Sequence, residues 1–330
     1  MDHTHLWIGI IVVLALGFDF SNGVHDAANA IATTVTTRAL SMGKAVAMAA
    51  ILNFVGAIVN TEVAKFIGTG LVDAHLVTLP IVAAALIGAI VWNLFTWWLG
   101  LPSSSSHALI GGLMGAAIFA FGPSAVHVSG LTKTVIGLVT SPLLGFGVAY
   151  LLMRALLRLV QDRPFTPTMR AFRRLQVVSA AFMAFSHGSN DAQKTMGVVT
   201  LALISANMLN HDAAIPKWVI LASAAAMAAG TALGGWRIIK TMGSKLVDLT
   251  PAHGFAAETA AAAVIMVATH LGIPISTTHV IASSILGVGA TRRARSVRWG
   301  TATNIVLAWV FTIPGAGLVG GLMALMLKRL

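Results

Sequence analysis

The chain has 330 residues, 57% of them hydrophobic and 9% charged, and it contains no cysteine. So little charge excludes a soluble globular surface, and the missing thiols exclude disulfides, thiolate metal centres and cysteine nucleophiles. With a mean hydropathy of +0.87 the chain reads as an all-α polytopic membrane protein, and its net charge of +11 falls in short basic stretches that set orientation rather than bind nucleic acid.

Taken in chain order, apolar segments at residues 6–40, 45–67, 79–100, 101–121, 135–160, 175–204, 216–239, 254–272, 273–290 and 299–326 predict helices. Lipid leaves the backbone no other solution outside a closed barrel. The first segment has no basic n-region, so no cleaved signal peptide is expected. As one straight helix it would be about 50 Å long against a hydrocarbon core of about 30 Å, which predicts a break at Ser21-Asn22-Gly23. Segments 101–121 and 273–290 are short and open on Pro102 and Pro274 with hydroxyl clusters, so they predict re-entrant hairpins or half-helices. Residues 161–174, with Arg163, Arg170, Arg173 and Arg174, predict a cytoplasmic basic loop between a first repeat, 1–160, and a second, 175–330. The stretch with Arg292, Arg293, Arg295 and Arg298 is also expected to be cytoplasmic. With 175–204 re-entrant, this places both termini outside and makes the two repeats inverted.

The repeats are visible as words. Phe20-Ser21-Asn22-Gly23-Val24-His25-Asp26-Ala27 returns half a chain later as Phe185-Ser186-His187-Gly188-Ser189-Asn190-Asp191-Ala192. Pro102-Ser103-Ser104-Ser105-Ser106-His107 returns as Pro274-Ile275-Ser276-Thr277-Thr278-His279. Duplicated polar breaks inside apolar sequence are the pattern of a secondary transporter. With no GxxxxGK[ST] loop in the chain, an ion gradient or the substrate's own gradient must drive it.

Each hydroxyl cluster begins a helix, where free N–H groups, the positive dipole end and side-chain donors make an anion site. Ser104, Ser105, Ser106, Ser276, Thr277 and Thr278 are therefore candidate substrate ligands, against the plainer reading that the hydroxyls only cap. Asp26 and Asp191 are acids at membrane depth, hence functional candidates. With Asn22, His25, Asn29 and Asn190 around them they suit a hard cation or a proton. Gln193 and Lys194 flank the second motif, and Lys194 and Arg38 are possible charge partners that can equally hold an anion. His107 and His279 match across the repeat, and no zinc spacing or cofactor motif is present. Glu62 and Glu258 are unmatched membrane-depth acids and rank lower. Asp19, Asp73, Asp162, Asp212 and Asp248 are expected to be solvated or capping.

Gly23-Val24-His25-Asp26-Ala27-Ala28-Asn29-Ala30 and Gly188-Ser189-Asn190-Asp191-Ala192-Gln193-Lys194 resemble the paired signatures of the inorganic phosphate transporter (PiT) family, and the two hydroxyl clusters resemble its hairpin tips. The resemblance covers essentially the whole chain and is nearest to the bacterial low-affinity permease type. It implies phosphate between hairpin tips and broken helices, a coupling cation beside it, a homodimer, and a multi-pass protein of the cytoplasmic membrane. The first signature departs from the Gly-Ala-Asn-Asp of many sodium-coupled relatives, having Val24-His25 before Asp26. A titratable histidine there favours proton over sodium coupling, and bacterial relatives carry phosphate with or as a divalent metal complex. The rival readings are a sodium-coupled phosphate symporter, a sulfate permease of the same fold, a receptor without flux, and an intramembrane hydrolase. The last lacks a Gly-x-Ser-x-Gly elbow and would need one site rather than a mirrored pair.

Overall fold

The computed structural model describes residues 3–64, 72, 78–210, 213–273, 275–291 and 294–327. Eleven main helices are named here: α1 (His3–Thr36), α2 (Met42–Ala57), α3 (Leu79–Leu99), α4 (Ser105–Phe121), α5 (Val128–Leu159), α6 (Phe165–Ser205), α7 (Lys217–Leu233), α8 (Trp236–Ser244), α9 (Pro251–His270), α10 (Thr277–Ala290) and α11 (Trp299–Leu327). Five of them, α1, α3, α5, α9 and α11, are long and apolar enough to cross a membrane, and the bent pair α7–α8 adds a sixth candidate. The surface is inverted relative to a soluble protein. Val13 and Leu151 are 70% and 68% exposed, whereas Asp19 and Asp191 are fully buried. Lipid solvates the apolar exterior, and the polar groups must find each other inside.

The helices pack as an exchange between the two halves. The motif helix α1 packs on α7, and the second motif helix α6 packs on α2. The short helix α4 lies against α11, and α10 lies against α5. Two isolated antiparallel bridges, Val72 with Val126 and Val247 with Val297, tie the chain ahead of α3 and of α9 to the exit of the short helix that follows each.

Several expectations are corrected. Helical structure runs unbroken through Ser21-Asn22-Gly23 in α1 and through the matching stretch of α6. The glycines there serve close packing. A Cβ on Gly23 would collide with the backbone of Met227, Gly230 and Thr231, and one on Gly188 with the backbone of Asn53. Gly230 and Gly56 return the favour, facing Phe20 and Phe185. The true interruption lies in the segment expected at 216–239, where Gly234, at φ 71°, turns the chain by 69° between α7 and α8. The basic loop is also shorter than expected, because α6 already begins at Phe165. Arg170, Arg173 and Arg174 sit on its exposed face while Phe172 and Gln176 face inward. Arg292 and Arg293, Pro274, Asp73 and Asp212 lie outside the described residues.

The short helices α4 and α10 have 17 and 14 residues. At 1.5 Å per residue each falls short of the hydrocarbon thickness of about 30 Å. Both start in the interior, and both start alike. Ser104 and Ser276 are the N-caps, each accepting from the backbone N–H of the histidine three residues on, His107 or His279, at 3.2 Å. Pro102 precedes the cap by two residues rather than occupying the first turn.

Candidate functional site

The two short helices meet tip to tip. Ser106 donates to the carbonyl of Ile275 at 3.4 Å. Behind the tips the His107 and His279 rings lie 4.8 Å apart, and His279 stacks at 3.9 Å on Trp309. Trp309 in turn donates to the Pro102 carbonyl at 2.9 Å. The matched histidines thus join the tips as packed rings.

Against these tips stand the two motif helices. Thr278 donates to Asp26 at 3.3 Å and Thr277 donates to Asp191 at 3.2 Å. Neighbouring hydroxyls of one tip therefore reach carboxylates from both halves. Asn29 donates to the same hydroxyls, at 3.0 Å to Thr278 and 3.4 Å to Thr277. Lys194 donates to Asp191 and to Ser106, bridging the second motif to the first tip. Asp26, His187 and Asp191 each bring a ligand atom within 4.8 Å of the others, so the centre can hold a cation. Each half supplies a histidine and an asparagine around its aspartate, at exchanged positions: Asn22 and His25 in α1, His187 and Asn190 in α6.

His25 lies 2.5 Å from Asp26 through Nδ1, and its Nε2 sits 3.2 Å from Thr96 and 3.3 Å from Ser103. His187 places Nδ1 3.1 Å from Asn53 and Nε2 3.4 Å from Asp191, a charge contact rather than an aligned hydrogen bond. Several buried polar atoms at the centre have no hydrogen-bond partner among the described residues: the Ser105 hydroxyl, Oδ1 of Asn29 and of Asn190, and both amide atoms of Asn22. Buried polar groups are seldom left so, and each of these residues belongs to a motif helix or to the start of a short helix.

Not every sequence candidate arrives. Ser104 and Ser276 accept for their helix caps. Gln193 faces elsewhere: it accepts from the backbone of Val63 at 2.7 Å and Ala64 at 3.2 Å and donates to Ser189 at 2.5 Å. The second amide of that motif thus fastens the chain after α2. Asn190 donates to Thr269 at 2.8 Å, tying α6 to α9. Arg38 is exposed beyond the end of α1. Of the lower-ranked acids, Asp162 and Asp248 are exposed as expected and Glu62 is also exposed. Glu258 is fully buried and accepts from Thr33, Thr34 at 2.6 Å, Gln176 at 3.3 Å and Ser179 at 2.5 Å. Asp19 corrects the reading outright: it is fully buried and accepts from Thr195 at 2.6 Å. One signal could have found it. Asp19, Asn22, Asp26, Asn29 and Thr33 recur at three- and four-residue spacing, one polar stripe of a helix.

A helical membrane bundle whose halves bring matched polar motifs to one buried centre is a secondary transporter by architecture. The chain belongs to the phosphate transporter family, whose sequence model matches residues 22–171 and 158–320. It is 47% identical over 317 residues to the "probable low-affinity inorganic phosphate transporter" of Bacillus subtilis, covering 95% of each chain. It is 50% identical over 319 residues to the protein of the same description from Rhizobium meliloti, covering 96% of this chain and 95% of that one. A solved structure titled "The sodium-dependent phosphate transporter" superposes with a TM-score of 0.89 at 25% identity, over 98% of this chain and 100% of the other. The chain is a phosphate-carrying, multi-pass protein of the cell membrane, and the hydrolase reading falls away.

Proposed function

We propose that the chain imports inorganic phosphate by alternating access, with protons as the coupling ion and the two hairpin tips as the phosphate cradle. The observation that carries this reading is the convergence of Asp26 and Asp191 on adjacent hydroxyls of one tip. Two carboxylates about 5 Å apart repel by about 3 kcal/mol even at an effective dielectric of 20. Adding a phosphate anion makes that worse unless positive charge enters with it. Lys194 offsets one unit, and a proton or cation at the Asp26–His187–Asp191 cluster offsets the next. Substrate binding therefore requires the coupling ion, which is the condition for symport.

The cradle is made of donors. In this reading the cradle draws on the Ser105 hydroxyl, unpartnered among the described residues, on Ser106 with its bond from Lys194, and on the first N–H groups of α4 and α10, where two helix dipoles would add their positive ends. Phosphate near neutral pH still carries a proton that a carboxylate can accept, and sulfate does not. Two carboxylates beside the cradle thus favour phosphate. The exchange of packing partners between α1–α7 and α6–α2 supports division into two repeats that rock against each other, with opposite orientation in the membrane.

A second reading has one observation in its favour. The structural relative is titled sodium-dependent, and carboxylates with unpartnered amide oxygens at Asn29 and Asn190 would serve Na⁺. Labelled phosphate uptake into proteoliposomes, under a proton gradient or a sodium gradient imposed separately and with excess sulfate, decides between them. Proton-driven uptake indifferent to sulfate is the expected result. Uptake that follows only sodium overturns the coupling, and loss of signal to sulfate overturns the anion.

A further inference from the structure

We propose that Asp19 is a second proton-carrying carboxylate of the transport cycle, working in step with the Asp26–Asp191 centre through the shared ammonium of Lys194. This rests on the proton-coupled reading above. Asp19 lies seven residues before Asp26 on the same stripe of α1, about 10 Å along the axis. It is fully buried.

Its environment is that of a group able to hold a proton. Oδ1 accepts from Thr195 at 2.6 Å, while Oδ2 has no hydrogen-bond partner among the described residues. The Ser223 hydroxyl of α7 lies beside it without forming an aligned bond. One turn further on, Asn22 has neither amide atom paired, although the residue is fully buried. Along these helices the neighbours Ala15, Met196 and Met227 belong to one buried hydrophobic core. A lone carboxylate in such surroundings must be neutralised by a proton or a countercharge.

The countercharge is already shared. Asp19 is bonded to Thr195 of α6, the residue after Lys194 and one turn beyond Asp191, so these two are the charged groups that act on it from that helix. The other helix at this point, α7, offers Ser223 and has no titratable residue after Lys217 at its start. Lys194 donates to Asp191 and Ser106, on the cradle side. Asp19, Asp26 and Asp191 against the one ammonium of Lys194 leave two negative charges; the coupling ion at the Asp26–His187–Asp191 cluster removes one and a proton on Asp19 removes the other. An anion arriving at Ser106 draws on the same ammonium, so the carboxylates lose countercharge as phosphate binds and must take up a proton. The step adds H⁺ to a carboxylate oxygen and breaks no other bond; on release the same proton leaves to the opposite side. Thr195 holds the Asp19 carboxyl, and Asn22 lies between Asp19 and Asp26 on the same stripe of α1.

The test uses the full-length protein in liposomes of phosphatidylethanolamine and phosphatidylglycerol. It compares wild type, Asp19→Asn, Asp19→Glu and Thr195→Val in two assays. The first is exchange of labelled for unlabelled phosphate with equal pH on both sides. The second is accumulation under an imposed pH gradient. Asp19→Asn is expected to keep exchange and to lose gradient-driven accumulation, and Asp19→Glu to restore it. Thr195→Val removes the donor that favours the charged carboxylate, so its accumulation profile is expected to move to higher pH. Normal accumulation by Asp19→Asn overturns the proposal. So does loss of exchange in Asp19→Asn and Asp19→Glu together, which makes Asp19 part of the fold or the cradle. If a sodium gradient drives wild-type accumulation at fixed pH and Asp19→Asn removes that drive, the site is a cation site and the proton assignment fails. Absence of exchange in the wild type would sink the transport reading itself, and the proposal with it.

Discussion

Thr278 and Asp26 stand 252 positions apart in the chain and 3.3 Å apart in the fold. The next hydroxyl, Thr277, reaches Asp191 at 3.2 Å. One short helix start therefore contacts both carboxylates, and under the function proposed above a change in their charge would reach the anion site directly, with no long pathway between ion and anion.

The first prediction separates the two aspartates. Asp26→Asn and Asp191→Asn should each abolish gradient-driven phosphate uptake while the protein still reaches the membrane. They should differ in stability. Asp191 is bonded to Lys194, itself buried, and breaking such a pair from one side costs about 3–5 kcal/mol. Asp26 has His25 and Thr278 instead, so its loss leaves no buried lysine stranded. Thermal unfolding in detergent should show the larger drop for Asp191→Asn, with Lys194→Met added to that variant recovering stability but not transport. Wild-type uptake in either single variant removes that aspartate from the mechanism.

The hydroxyls divide into two kinds, and substitution should reveal it. Ser105→Ala with Thr277→Ala should weaken apparent phosphate affinity more than maximal rate, since Ser105 has no hydrogen-bond partner among the described residues and Thr277 bonds Asp191. Ser104→Ala or Ser276→Ala should act through the helix caps instead, each costing about 1 kcal/mol of stability with smaller change in affinity. Kinetics and melting curves on the double variant and the two single variants test the split. Equal affinity losses in both sets would show that the capping hydroxyls also reach the anion.

Much of this centre was legible before any coordinates. Asp26, Asp191, Lys194 and the tip hydroxyls stand out because each is polar within an apolar run and most recur in the second half. What repetition marks, reading can find. Asp19 and Thr195 escaped, and Glu258 ranks low, because neither acid has an acidic counterpart in the other half, and burial is set by helices far away in the chain. The unbroken α1 escaped for a different reason. In the sequence Gly23 reads as a point of bending, whereas its missing side chain admits the backbone of α7. Gln193 shows the reverse error, since proximity in sequence to Asp191 said nothing about which face of α6 it occupies.

The glycines give a prediction with an internal control. Gly23→Ala and Gly188→Ala each push a methyl into the backbone of a crossing helix. That backbone cannot swing aside as a side chain can, so overpacking should cost about 1–3 kcal/mol or more. Gly9→Ala, on the same helix as Gly23 with no atom within 4 Å of the added carbon, should be neutral or slightly stabilising, since alanine is the better helix former. Yield and melting temperature of the three variants check this. A Gly23→Ala protein as stable as Gly9→Ala would show that α1 and α7 are not in close contact.

Glu258 supplies the last prediction. Its carboxylate collects donors from α1, through Thr33 and Thr34, and from α6, through Gln176 and Ser179, while itself belonging to α9. It binds the outer ends of the motif helices together, at the far end of the stripe from Asp19. Glu258→Gln keeps the size but replaces one acceptor oxygen by an NH₂ that faces hydroxyl donors. At least one buried donor then loses its partner, a cost of about 1–3 kcal/mol. The expected result is a lower melting temperature. Glu258→Ala should be worse, because it leaves all four donors unmet and a cavity besides. Exchange of labelled phosphate then tells positioning from coupling. A weakened Glu258→Gln protein that regains full exchange and gradient-driven accumulation on cooling would make the residue a structural tie between helices. Intact exchange with lost accumulation at every temperature would instead place Glu258 among the coupling groups, and the positioning role argued here would be wrong.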